Sequence, residues 1–346
     1  MTLMQKEIFE QPQALRDCYS YNKTAFEKLV GEIKAKKISN VVIAARGTSD
    51  HAGIYGKYLI ESMVGVPVGL SAASAVTLYG GNIRYDNMLV IGISQSGKAA
   101  DVLEVMNQAK KNGALTCAIT NTEDSPLAQC ADYHLYCSAG LESSVAATKT
   151  FGTQLYIMAH IACMWAGRED LLKELQNVPE NMEKVLEKND EMAKIALRYR
   201  FMDDCFILSR GINYPLALEA ALKVQETNYV RAKAYPISDF HHGPFAMVDE
   251  GTPVILYLSD GPVKKDAYDM IKKLQDVGAD ILMISDDDEL LKEAAVGFKV
   301  PCSGKLDMIA AFSFAVSAQL FACNLAAVKG RNPDAPRGLK KVTVTK

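Results

Sequence analysis

The cysteines of this chain never pair in sequence. Eight of them stand singly, at 18, 117, 130, 137, 163, 205, 302 and 323, with no CxxC motif and no Cys/His cluster. That argues against a zinc module or a thioredoxin-like centre. Most lie in apolar stretches such as "ALTCAIT" and "AHIACMW", where a thiol acts as a small hydrophobe. The expectation is a reduced, cytoplasmic protein with no metal site. Positive charge is not in excess either: 38 Lys and Arg stand against 41 Asp and Glu, a net charge of -3. A basic surface for nucleic acid is therefore not expected. No run of about 18 apolar residues appears, and the opening "MTLMQKEIFEQPQALRDCYS" is interrupted by charge. Neither a membrane span nor a secretory leader is expected.

What the chain does have is length and repetition. Its 346 residues, 49% of them hydrophobic, suffice for about two domains. The segment "NVVIAARGTSDHAG" (40–53) is an apolar run, an Arg-Gly and a helical pattern, echoed by "DCFILSRGINYPLALEAALK" (204–223). Arg46 and Arg210 are 164 residues apart; Ser94 of "LVIGISQSG" and Ser259 of "VILYLSDGP" are 165 apart, as are Gly113 and Gly278. Three matches in one order, at spacings that agree within one residue, mark two copies of one unit.

Each copy alternates short apolar runs with helix-length periodic segments, the pattern of an α/β unit with a parallel sheet covered on both faces. Strands are expected at 40–45, 67–71, 88–93, 115–120 and 133–136, then at 204–209, 253–258, 280–285 and 297–301. The domain reading is residues 1–166 for an N-terminal helix plus the first unit and 167–200 for a linker helix. Residues 201–330 form the second unit, and 331–346 a tail.

Ligands of such sheets sit beyond the carboxyl ends of the strands. There, "RGTSD" (46–50) and "SQSG" (94–97) each follow a strand and open a helix, offering Thr48, Ser49, Ser94, Gln95 and Ser96. No Gly-Lys-Ser/Thr closes the second loop, so it is not a Walker loop. Hydroxyls with helix-start amides suit a phosphomonoester; the alternative is a pair of plain helix caps. "AGLESSVAATKTF" (139–151) is a third small, polar loop, in which Glu142 and Lys149 read as surface residues on spacing alone. On the apolar "ALEAALKVQE" (217–226), Glu219, Lys223 and Glu226 share one helical face. Such a stripe must be paired or face a polar cleft; the plainer alternative is a Glu219–Lys223 pair on the water side. "SDFHHGP" (238–244) places two histidines before a turn, and the basic end "APRGLKKVTVTK" reads as a solvated tail.

In their order, "RGTS", "SQSG", "ATKTF", "ALEAALKVQE", "HHGP" and "PRGLKKVT" resemble the double-SIS sugar-phosphate enzymes. These are the isomerase half of glucosamine-6-phosphate synthase and the stand-alone SIS-type glucosamine-6-phosphate deaminases. "ARGTSDHAGIYGKYLIE" and "SVAATKTF" look nearest the deaminases. The resemblance runs from about residue 20 to the C-terminus and implies two three-layer, flavodoxin-like SIS domains. It implies that Gly47, Thr48, Ser49, Ser94, Gln95, Ser96 and Val145 contact the sugar phosphate. Glu226 would be the base that moves a proton between C1 and C2, with Glu219 and Lys223 ordering its helix. His242 would assist ring opening from across a homodimer, and Lys341 would close over the substrate with the tail. No cofactor and no metal is implied, and the partner is a small sugar phosphate rather than nucleic acid or membrane.

Three departures qualify the resemblance. Lys98-Ala99 stands where the synthases have Glu-Thr, and Ala147 where they have serine. The 346 residues also hold no glutaminase segment. The resulting expectation is the ammonia-releasing direction: glucosamine 6-phosphate to fructose 6-phosphate through an enolamine. The alternatives are a glutaminase-less aminotransferase-like isomerase, a fructosamine-6-phosphate deglycase, and a phosphosugar-sensing module without turnover.

Overall fold

The computed structural model describes residues 1–341. The chain divides into two compact units. The first-copy unit holds Gln13–Glu142 and Ala147–Leu175, joined by Lys340 and Lys341; the second-copy unit holds Met1–Pro12, Ser143–Ala146 and Gln176–Leu339.

The elements up to the joint are α1 (Leu3–Phe9), α2 (Gln11–Ala35), β1 (Asn40–Ala44), α3 (Thr48–Leu59), β2 (Val68–Leu70), α4 (Ala73–Thr77), β3 (Met88–Ile93), α5 (Ala100–Lys111), β4 (Leu115–Thr120), α6 (Pro126–Cys130), β5 (Tyr133–Tyr136), α7 (Lys149–Ala166) and α8 (Glu169–Leu175). Five parallel strands form a sheet in the order β2-β1-β3-β4-β5. Both faces are covered, so β4 is buried at all six positions and β3 at five of six. This is why those strands read as unbroken apolar runs. From β1 the chain moves outward to β2, and from β3 it moves the other way to β4. The crevice lies where that direction reverses, beyond Ala44 and Gly92, which pair in register.

After the joint come α9 (Val178–Leu186), α10 (Asn189–Arg198), β6 (Asp204–Ser209), α11 (Tyr214–Asn228), β7 (Arg231–Pro236), α12 (Ile237–Phe240), β8 (Pro253–Tyr257), α13 (Lys264–Asp276), β9 (Asp280–Ser285), α14 (Asp288–Lys292), β10 (Val296–Lys299) and α15 (Asp307–Val328). The second sheet is again five-stranded and parallel, in the order β10-β9-β8-β6-β7, with its reversal between β6 and β8. The strand β7, "RAKAYP", is absent from the sequence reading. It is an edge strand with two exposed positions, so it carries charge and ends in proline where a central strand could not.

Two further expectations on domain layout are corrected. Residues 167–200 do not form one linker helix: α8, α9 and α10 are separate, and Pro179 restarts the chain within the first turn of α9. The helices α9 and α10 pack on α15 and so belong to the second-copy unit. The first twelve residues also fold with that unit rather than with the first. Asp334 accepts the Leu3 and Met4 amides at 2.8 Å each, and Gln11 Nε2 donates to Gln319 at 2.8 Å.

The helix α15 is long and apolar enough to cross a membrane, yet 94% of its most apolar stretch is buried inside the protein. Ser313, Ser317 and Gln319 interrupt its apolar run and are themselves buried. It serves as the core helix of its unit, where each large apolar side chain contributes roughly 1.5–3 kcal/mol.

Candidate active site

At the carboxyl ends of β1 and β3 the chain must turn sharply into α3 and α5. Gly47 caps α3 with φ +52°, a conformation that other residues adopt at a cost. Ser49 is buried, Thr48 half-buried and Gly47 exposed on the rim. In the neighbouring loop Ser94 is buried, with Gln95 and Ser96 half-buried. The loop is pinned from behind by its backbone: the Ser94 amide donates to Ile119, and Gln95 accepts from the Asn121 amide. Gly97 (φ +63°) lies so close to Ser125 that a Cβ would fall 2.1 Å from its Oγ. The Ser96 hydroxyl accepts from the Lys98 amide at 3.3 Å. Among the described residues the Ser49 and Ser94 hydroxyls have no hydrogen-bond partner.

The two loops are fastened to each other by an ion pair that the sequence reading passed over. Arg46 Nε lies 2.6 Å from Oδ2 of Asp101, in the first turn of α5. Asp101 is buried and Arg46 half-exposed, so the pair can fix the spacing of the loops while the guanidinium remains reachable from solvent. Lys98 is exposed, and Ala99 caps α5 without a side-chain bond.

Glu142 and Lys149 are not surface residues; both are buried. The Glu142 carboxylate takes the place of a helix cap on α7, accepting from the Thr148 and Thr150 amides at 3.0 Å and from the Thr150 hydroxyl at 2.8 Å. Lys341 Nζ reaches the same carboxylate at 2.8 Å. Burial alone would raise the Glu142 pKa, but Lys341 and the amide donors outweigh it and hold the group below the usual carboxylate range. The tail thus arrives at the start of α7 with Lys341 a quarter exposed; residues 342–346 of the expected lid lie outside the described residues. Val145 is half-buried in the Ser143–Ala146 segment, which counts with the second-copy unit. There Glu7 accepts from the Ser143 amide at 2.5 Å and from the Ser144 amide at 3.2 Å.

In the second-copy unit, α11 carries the charged stripe. Glu219 and Lys223 have no exposed side-chain surface, which rules out the water-side pair. Lys223 Nζ sits 3.4 Å from Glu219 and 2.5 Å from Oε2 of Glu226. Burial would lower the Lys223 pKa, but the two carboxylates outweigh it and the ammonium is held above its ordinary value. The buried cation lies between two carboxylates, and it is Glu226 that retains 20% exposure. A carboxylate so placed is oriented by a fixed cation and open to a substrate proton, as a general base requires. His242 follows α12 in an exposed turn, its amide bonded to the Asp239 carbonyl at 3.0 Å. His241 contacts Lys273 at 3.2 Å.

The SIS domain family model matches residues 34–163 and 203–329. The chain is 36% identical over 352 residues to a glutamine–fructose-6-phosphate aminotransferase (isomerizing) of Thermococcus kodakarensis, covering 99% of this chain and 58% of that protein. Its counterpart in Aquifex aeolicus gives 36% over 351 residues, covering 99% and 57%. The chain therefore spans less than three fifths of these curated relatives. The C-terminal domain of glucosamine-fructose-6-phosphate aminotransferase from Francisella tularensis matches in structure with a TM-score of 0.86 at 27% identity, covering 97% of this chain and 98% of that one. Glucosamine-6-phosphate deaminase from Thermotoga maritima matches with a TM-score of 0.74 at 23% identity, covering 99% and 100%, a likeness of fold. With two five-stranded parallel sheets and both halves recognised, this chain belongs to the SIS domain family and carries that domain twice.

Proposed function

We propose that the protein is an amino-sugar phosphate deaminase/isomerase, converting glucosamine 6-phosphate to fructose 6-phosphate and ammonia. The observation that carries the reading is Glu226, partly exposed and held at 2.5 Å by the buried Lys223 ammonium. A proton shuttle between adjacent sugar carbons needs an oriented carboxylate of this kind. Similarity to sugar-phosphate aminotransferases supports phosphosugar isomerase chemistry more broadly.

In this reading Ser49, Ser94, Gln95 and Ser96 bind the phosphate with Gly47 and Thr48, and Val145 borders the sugar. His242, contributed across a homodimer, assists opening of the ring. Glu226 takes the C2 proton of the open aldehyde, giving an enolamine, and returns it to C1. The resulting C2 imine is hydrolysed, so water supplies the ketone oxygen and nitrogen leaves as ammonia. Lys341 stands near the sugar oxygens. The test is ammonia release from glucosamine 6-phosphate, with C2 deuterium loss followed in parallel. Binding without either signal would turn the reading to a sensing module; full activity in Glu226→Gln would overturn the role of Glu226.

A second reading rests on the exposed Lys98 beside the first rim. A cation there suits a substrate with an added carboxylate, as in a phosphorylated fructosamine–amino acid adduct. Release of the free amino acid from that adduct, with no turnover of glucosamine 6-phosphate, would favour it.

A further inference from the structure

The duplication extends into the rims in finer detail than the sequence echo suggests. In the first-copy unit Arg46 Nε binds Asp101 Oδ2 at 2.6 Å; in the second, Arg210 Nε binds Asp266 Oδ2 at 2.8 Å. The two pairs are related by the same 164- and 165-residue spacings. On that frame Ser49 corresponds to Asn213, and Ser94-Gln95-Ser96-Gly97 to Ser259-Asp260-Gly261-Pro262.

The frame is kept, but the donors are not. Ser96 has become glycine, which has no hydroxyl, and Gly97, whose amide is spent within the first loop on the Ser94 carbonyl, has become proline. Asp260 replaces Gln95, and its amide is already given to Asp286 at 3.0 Å. The remaining hydroxyl, that of Ser259, donates to Oδ1 of Asp307 at 2.5 Å while accepting from Nδ2 of Asn213 at 3.2 Å. Asp307 opens α15, and Asn213 caps α11. The carboxylate lies tight against the loop: a Cβ on Gly261, the counterpart of Ser96, would come within 2.3 Å of Asp307 Oδ1. Asn213 is buried with its Oδ1 unpartnered, so its one bonded amide hydrogen is spent on Ser259 and it adds an acceptor, not a donor, behind the loop.

We infer that Asp307 supplies within the second-copy unit the anion that the first rim takes from a ligand. The chain thus has a single phosphate site, and the second rim has become an anchor for the start of the helix bearing Glu226. The single-site part rests on the proposed phosphate role of the first rim; the anchor does not. Asp307 is here a positioning residue, acting through Ser259 and Asn213.

Hydrogen exchange read by mass spectrometry tests the anchor without any ligand. In Asp307→Ala, amides of residues 211–219 are expected to exchange about tenfold faster, the loss of one charge-assisted bond. Asp307→Asn, which keeps an acceptor for Ser259, is expected to stay within about twofold. Unchanged exchange in the alanine variant overturns the anchor. Should that variant fail to fold, Ser259→Ala removes the same bond from the other side and is read the same way. Calorimetric titration with glucosamine 6-phosphate is expected to give one site per wild-type chain and none in Ser94→Ala. Two sites, or residual binding abolished by Ser259→Ala, overturn the single-site inference. No binding by the wild type overturns the phosphate reading of the first rim and leaves the exchange result standing. In turnover, Asp307→Ala is expected to lower kcat about tenfold with KM within twofold; a higher KM at unchanged kcat contradicts a positioning role.

Discussion

Lys341 Nζ lies 2.8 Å from a carboxylate oxygen of Glu142, closing a loop of 199 residues. The tail is therefore fastened by a carboxylate that also caps α7, so the two functions can be separated by mutation. Glu142→Ala should cost about 2–4 kcal/mol, because buried amides lose their acceptor and Lys341 its partner. Lys341→Met leaves a fully buried carboxylate held by its amide and hydroxyl donors alone and should cost about 1–3 kcal/mol, with the helix cap itself kept. Urea unfolding checks both values. Because the folded Glu142 pKa lies below the ordinary 4.5, its contribution is complete above that pH and is lost as pH falls through the lowered value.

Lys223 and Glu226 should respond differently to mutation although they touch. Lys223→Ala strands Glu219 and Glu226 in or near the interior and should cost about 3–5 kcal/mol. Glu226→Gln should unfold within about 1 kcal/mol of the wild type while losing roughly 10²–10⁴-fold in turnover of the sugar phosphate. Thermal unfolding measured beside kcat separates the two; equal stability losses would contradict the burial argument.

Gly97→Ala should be among the most damaging single-methyl additions in the first rim. Its Cβ would meet Ser125 Oγ at 2.1 Å and Cβ at 2.4 Å, at φ +63°. Backbone strain and overlap together suggest about 2–4 kcal/mol. Ser125→Gly removes both clashing atoms, so the double variant should recover at least about 0.5 kcal/mol relative to additivity. A strictly additive pair, by chemical denaturation, would show that the clash is relieved elsewhere.

His160 should make the first-copy unit sensitive to mild acid. Burial lowers its pKa to about 4, against a smaller opposing effect of the Tyr156 carbonyl, and its ring stacks on Phe26. The neutral ring is favoured by folding. Its contribution is therefore full above pH 6.5, declines as pH falls from there, and is gone below about 4. The total is roughly 3 kcal/mol. His160→Leu should flatten that part of the stability–pH curve; an unchanged slope would assign it to other groups.

The sheets were readable because parallel strands buried on both faces leave unbroken apolar runs, and the duplication was readable from Arg46 and Arg210. The strand β7 was hidden because an edge tolerates Arg231, Lys233 and Pro236. Glu142 looked like a surface residue because spacing does not reveal that its carboxylate meets the first amides of a helix six residues on. The stripe on α11 could be seen, but not the depth of Lys223, because burial of a lysine depends on where two carboxylates end up. Asp101 and Asp266 could have been found from the repeat spacing that relates Arg46 to Arg210, had it been followed into the helices. Ser259 and Asp307 could not, since their bond joins a loop to a helix that begins 48 residues later.

Residues 1–12 and 143–146 fold with the later copy, and Lys341 with the earlier. The two units are interleaved along the chain rather than laid end to end. No single scission at the joint between Leu175 and Gln176 can yield two whole folds: the leading fragment would carry away α1 and the Ser143–Ala146 segment, and the trailing one would carry away Lys341. Obtaining either unit alone would require grafting those segments onto it, because truncation at one point removes them.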